Sequence, residues 1–123
     1  MISRGGLPPG ISVTEVVGPE VPDVVTLAVT GDVDLAAAPL LRSAVQVAIS
    51  RGCTTVAIDC SAVEFIDVSG IRSLIAAGRQ ASAASVRLTV THPSSALLRA
   101  LLLTGRSGDV DLDRRGGGGG ARR

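Results

Sequence analysis

Aromatic side chains are almost absent from this chain: there is no tryptophan, no tyrosine and a single phenylalanine, Phe65. Single-stranded nucleic acid is held by stacking bases on aromatic rings, and this sequence has nothing from which to build such a platform. An excess of either charge is missing as well. The formal net charge is +1, every basic residue is arginine, and the charges are dispersed through the body. No strong electrostatic footprint for DNA or anionic lipid results, the exception being the arginines of 114–123, which read as a solvated tail able to touch acidic partners. No apolar run approaches the roughly 20 residues that span a bilayer. Met1 to Gly10 carries glycine and proline where a signal peptide has an apolar stretch. The expectation is a cytoplasmic protein without membrane contact. Cysteine is scarce, with Cys53 and Cys60 flanking a predicted strand. Seven residues of extended chain span about 23 Å, beyond disulfide reach, so both read as structural thiols. One histidine and two such distant cysteines make no zinc site.

What the chain does have is aliphatic bulk. Hydrophobic residues make up 46% of 123, enough for one domain with a single core of Val, Leu, Ile and Ala. Ile11–Val17 and Val24–Thr30 read as strands rich in β-branched residues, joined by the turn-prone link Gly18 to Asp23. Gly31-Asp32 marks the exit from the second strand. A helix is predicted over Ala38–Ser50, with Pro39 in its first turn and Leu41, Ala44, Val45, Ala48 and Ile49 on one face. Thr54–Asp59 reads as a strand buried on both sides. A second helix over Ser69–Ser82 shows Ile71, Leu74, Ile75 and Gly78 on one stripe, the glycine read as permitting close approach to the sheet. Arg87–Thr91 is a strand, Ser94–Leu103 a helix closed by Thr104-Gly105, and Val110–Leu112 a short edge strand. The predicted fold is α/β: a small mixed β-sheet, its first strand pair antiparallel and the rest parallel, packed by helices. Residues 1–10 form an N-terminal segment, 11–113 the domain, and 114–123 a Gly/Arg-rich tail that buries no core.

Chemistry concentrates in Ile58-Asp59-Cys60-Ser61-Ala62-Val63-Glu64-Phe65-Ile66-Asp67-Val68-Ser69-Gly70-Ile71-Arg72-Ser73-Leu74. A strand ending at Asp59 and a short loop place Ser69 in the first turn of a helix at the carboxyl edge of the sheet. A helix start offers unpaired N–H groups and the positive end of a dipole, which accommodates a phosphate. Ser69 is therefore a candidate phosphorylation switch. The competing account is that Ser and Asp here only cap the helix. With Asp67 as the cap, the Ser69 hydroxyl stays free, so the two accounts divide by residue.

This run resembles the signature of STAS domains, and particularly of bacterial anti-sigma factor antagonists, which carry Asp-x-Ser-Gly after a similar approach. Gly31-Asp32-Val33-Asp34-Leu35-Ala36-Ala37-Ala38-Pro39 is similar to the family's turn before its first long helix, and Leu101-Leu102-Leu103-Thr104-Gly105 to the segment ahead of its last strand. The resemblance covers about Ile11 to Asp113. It implies a non-enzymatic binding module whose partner is an anti-sigma factor that is itself a serine kinase. Binding frees a sigma factor, and phosphorylation of Ser69 ends it; ATP and magnesium belong to the kinase, the module needs no cofactor, and a phosphatase would reset it. The residues matching the partner-binding region are Asp34, Asp67, Ser69, Gly70 and Arg72. Asp34 and Asp67 serve either to position a partner's basic groups or to form the turn and cap, and both roles can coexist. Arg72 departs from the pattern, which has small or apolar residues nearby, and a cation at a helix start opposes the dipole slightly.

Two other readings stand beside this one. STAS modules also serve in stress-signalling assemblies and lipid-transport machinery without phosphorylation. A serine hydrolase would need Ser69, His92 and Asp59 together at the carboxyl edge, but the sequence lacks Gly-x-Ser-x-Gly and shows no oxyanion loop. No phosphate-cradling glycine loop precedes a helix, which disfavours nucleotide binding by the module itself.

Overall fold

Alternation of small β-branched and aliphatic residues builds a five-stranded sheet in the order β1-β2-β3-β4-β5. The computed structural model describes residues 12–16 and 23–113. The expected N-terminal segment 1–10, most of the link from Gly18 and the tail 114–123 lie outside them. The strands are β1 (Ser12–Val16), β2 (Val24–Val33), β3 (Thr55–Ile66), β4 (Arg87–Thr91) and β5 (Leu112–Asp113). β1 runs antiparallel to β2, with Val13 opposite Val29. The other pairs are parallel: Leu27 lies opposite Ile58, Ile58 opposite Val90, and Val90 opposite Leu112. Parallel neighbours need crossovers, and the helices α1 (Ala37–Ser50), α2 (Val68–Ala83) and α3 (Ser95–Thr104) supply them, α3 followed by a 3-10 turn at Ser107–Asp109.

One face of the sheet carries the core. Leu27 and Val29 of β2, Val56, Ile58 and Cys60 of β3, and Val90 of β4 are buried with Leu41 and Val45 of α1, Ile71 and Leu74 of α2, and Leu97 and Leu101 of α3. No ring takes part; close packing of aliphatic side chains does the work. α2 and α3 start where a side chain caps them, whereas the Ala36 cap of α1 has no side-chain bond. Asp67 caps α2, Ser94 caps α3 by accepting from the Leu97 N–H at 3.1 Å, and Gly105 ends α3 in the left-handed conformation.

Five sequence readings need correction. β2 continues past Gly31-Asp32 to Val33, and β3 continues past Asp59 to Ile66, where a loop was expected. Register shifts between Ala28 and Thr30 and between Gly31 and Asp32 each let β3 carry one residue more than β2. These are β-bulges, and they absorb polar punctuation without ending the strands. Cys60 consequently lies inside β3 and does not flank it; both cysteines are buried and free. Burial, helped by the adjacent Asp59 carboxylate, pushes the Cys60 thiol up to about 12. Gly78 is no close-approach residue either, since a Cβ there would have nothing within 4 Å. The last strand is Leu112–Asp113 instead of Val110–Leu112. Among the described residues no helix is long and apolar enough to cross a membrane, and no group of His, Cys, Asp and Glu is placed to hold a metal ion.

Candidate functional site

The bulged extension of β2 and β3 decides where the site sits. Val33 pairs with Ile66, so the residues that follow, Asp34 and Asp67, leave the sheet side by side at its carboxyl edge. Each carboxylate is engaged locally. Asp34 Oδ1 accepts from the Ala36 N–H at 3.1 Å and holds the turn into α1. Asp67 Oδ1 accepts from the Gly70 N–H at 2.9 Å, while the Asp67 N–H donates to the Val33 carbonyl at 3.3 Å. The Asp67 carbonyl accepts from Ile71 at 2.9 Å. That leaves the N–H groups of Val68 and Ser69 as the open donors of the first turn.

Ser69 is the second residue of α2 and half-buried, and its hydroxyl makes no hydrogen bond within the described residues. Val56 and Ile58 are fully buried beneath the same layer. Gly70 is buried, and the reason is close approach: a Cβ there would stand 2.0 Å from the Val33 carbonyl oxygen and 2.7 Å from Ile66 Cγ1. Its part is positional, letting the start of α2 lie directly on the strand ends and fixing the height at which Ser69 is presented. Ser73 locks the same turn, donating from its buried hydroxyl to the Gly70 carbonyl at 2.7 Å. Arg72 is exposed three residues beyond Ser69, on the same side of the helix, and pairs with no acid among the described residues.

Sequence reasoning missed two residues here. Leu35 and Val68, each directly after one of the two aspartates, are 74% and 51% exposed. The available signal was placement: both are large apolar residues lying off the core-facing stripe of their neighbouring helix. Together with Ser69 and Arg72 they make a surface that is apolar around one free hydroxyl and one free cation.

The hydrolase constellation is not assembled. His92 Nδ1 lies 4.0 Å from Asp59 Oδ2, but β3 runs on from Asp59 to Ile66 before α2 begins. Seven residues of strand place Ser69 about 20 Å farther along the sheet.

A sheet covered by helices on its core face, with a capped serine turn at the ends of its two longest strands, defines a small α/β domain. The family model described as "Mlab, STAS domain" matches residues 19–112, and the chain belongs to the STAS-domain family. Its fold is similar to that of an anti-sigma factor antagonist from Mycobacterium paratuberculosis, with 25% identity and a TM-score of 0.67 over 84% of this chain and 85% of that one. It is also similar to the anti-sigma factor antagonist SpoIIAA in its unphosphorylated form, at 18% identity and a TM-score of 0.64, covering 83% of this chain and 88% of that one. The phosphorylated form of the Bacillus cell fate determinant SpoIIAA gives 19% identity and a TM-score of 0.59, covering 83% and 91%. A search of curated proteins returns no match.

Proposed function

We propose that this protein is a cytoplasmic anti-sigma factor antagonist, which binds a serine-kinase anti-sigma factor, thereby frees a sigma factor, and is switched off by phosphorylation of Ser69. The observation that carries this reading is the Ser69 hydroxyl, unpartnered in the first turn of α2 beside the exposed Leu35 and Val68. Apolar side chains at that edge give a partner something to bury, and Arg72 offers it a cation. Phosphorylation adds about −1.5 to −2 charges at neutral pH. The open N–H groups of Val68 and Ser69 and the helix dipole accommodate that charge within the free protein, worth about 0.3–1 kcal/mol. In a docked interface the same charge is desolvated near Asp34 and Asp67, and association weakens. The switch acts on binding and spares the fold. In this scheme the module itself catalyses nothing; the kinase supplies ATP and magnesium, since phosphoryl transfer rests on positioning and electrostatics, and a phosphatase restores the hydroxyl.

The experiment is recovery of partners with wild-type, Ser69→Ala and Ser69→Glu baits, followed by phosphorylation of each by the recovered kinase. A kinase-type anti-sigma factor retained by the first two baits, released by the third, and unable to phosphorylate Ser69→Ala is the expected result. A second reading, compatible with membership of the STAS-domain family, is an interaction module in another signalling or lipid-transport assembly without phosphorylation. Under that reading the three baits recover the same partner, and it is no kinase.

A further inference from the structure

A second surface adjoins the site just described, with Ile66 lining it on one side and packing against Gly70 on the other. The end of β3 and the outer side of α3 enclose a groove of about 260 Å3, lined by Glu64 and Phe65 on one wall and by Ala96, Arg99, Ala100 and Leu103 on the other. Ala96 and Ala100 are one helical turn apart, so the floor is shallow and open to an incoming side chain. The rim is apolar and wet: Phe65, the one aromatic residue of the chain, is 51% exposed, and Leu103 is 79% exposed, with Leu102 beside it at 75%. Contiguous exposure of this kind marks an interaction surface. Glu64, the extra residue of the second β3 bulge, and Arg99 stand on opposite walls with no ion-pair partner among the described residues. One unpaired charge of each sign across one apolar groove is the pattern of a self-complementary patch. A two-fold axis through it would set each Glu64 against the partner's Arg99 and cover both phenylalanines at once.

We propose that this groove is where two copies of the chain associate, Phe65 and Leu103 forming the buried centre and the two Glu64–Arg99 pairs fixing the register. The proposal draws on no group of Ser69, so it stands whether or not Ser69 is phosphorylated. Sedimentation velocity over a concentration series tests it on the full chain, with circular dichroism to confirm that each variant folds. The wild type shifts from monomer to dimer as concentration rises. Glu64→Arg and Arg99→Glu each place like charges opposite one another, and each weakens association roughly tenfold or more. An equimolar mixture of these two single variants regains dimer, because every charged contact in the mixed pair is then between opposite signs. Leu103→Asp alone remains monomeric over the same series, and a Leu103→Asp protein that still dimerises would overturn the buried centre. A wild type that remains monomeric throughout, a dimer indifferent to both charge reversals, or a mixture that stays monomeric would each overturn the proposal.

Discussion

The same substitution at two glycines of one helix should change stability in opposite directions. At Gly70 a new methyl group falls 2.0 Å from the Val33 carbonyl oxygen and 2.7 Å from Ile66 Cγ1, and 3.4 Å is where ordinary contact begins. The closer contact is short by about 1.4 Å, and its partner is backbone in a paired strand, which cannot swing aside as a side chain could. The start of α2 must lift. Overpacking of this kind costs about 1–3 kcal/mol. Lifting the turn also weakens the Asp67 cap, worth about 1 kcal/mol. The better helix propensity of alanine returns up to about 1 kcal/mol, less in a first turn than in an interior. The net expectation for Gly70→Ala is a loss of about 2–3 kcal/mol. For a domain near 100 residues that lowers Tm by about 10–20 °C.

Gly78→Ala is the internal control. Nothing lies within 4 Å of a Cβ there, and the position is in the middle of α2, so alanine gains about 0.5–1 kcal/mol through lost freedom in the unfolded chain. Urea denaturation of both variants, followed by far-ultraviolet circular dichroism, reads the difference through the midpoint at unchanged slope. A Gly70→Ala protein within about 0.5 kcal/mol of wild type, the range of an ordinary surface change, would refute the close approach of α2 to the strand ends. A Gly78→Ala protein that loses stability would refute the open space at the second site.

Other outcomes follow from the same geometry. Ile58→Ala, at a fully buried position of the central strand, should lose about 2–5 kcal/mol in denaturant titration. Cys60 should resist thiol reagents in the native protein and react only after unfolding, as followed by release of a chromophoric thiol. Its folded pKa, about 12, lies above the unfolded value near 9, so its contribution to stability is complete below pH 9 and is lost as pH rises from there towards about 12. No lysine or tyrosine titrates in that window, and Cys60→Ala should flatten the decline. Ser69→Glu should change stability by under about 1 kcal/mol, because a carboxylate in the first turn complements the dipole, while partner binding falls. A fluorophosphonate probe should leave Ser69 unlabelled, since neither His92 nor Asp59 reaches it.

Helices and the plain strand were legible in the sequence. β4 is Arg87–Thr91 as read, and α1, α2 and α3 begin within one residue of their expected starts. Their signals were local: an apolar stripe at helical spacing, and Asp67 or Ser94 one residue before it. The second half of β3 was not legible. After Cys60 its buried residues fall at Val63 and Ile66, three apart, because each bulge inserts a residue and resets the two-residue alternation. Gly31-Asp32 looked like a stop for the same reason; Gly31 takes a positive φ of 93° inside the strand. Gly78 misled differently. A glycine on a core-facing stripe suggests contact, but only the positions of neighbouring atoms distinguish a packed glycine from an idle one.

The fate of the five candidate residues narrows what the site can say to a partner. Asp34 and Asp67 each spend a carboxylate oxygen on a backbone N–H of their own turn, so removing either loosens the turn before it removes a contact. Gly70 is buried and acts through the height of the helix. Ser69 and Arg72 have side-chain polar groups with no hydrogen bond among the described residues, Asp34 and Asp67 each keep a second carboxylate oxygen, and Leu35 and Val68 supply exposed apolar area. Under the proposed switch, recognition and response are therefore carried by different residues. Leu35→Ala and Val68→Ala should weaken partner binding to phosphorylated and unphosphorylated protein by the same factor, since neither side chain senses charge. Arg72→Ala should alter the ratio between the two states, because a cation three residues from the phosphate compensates part of its charge. Binding of each variant in both states, compared by calorimetry, separates the roles. An Arg72→Ala protein with the wild-type ratio would mean that the cation faces water in the complex as it does in the free chain.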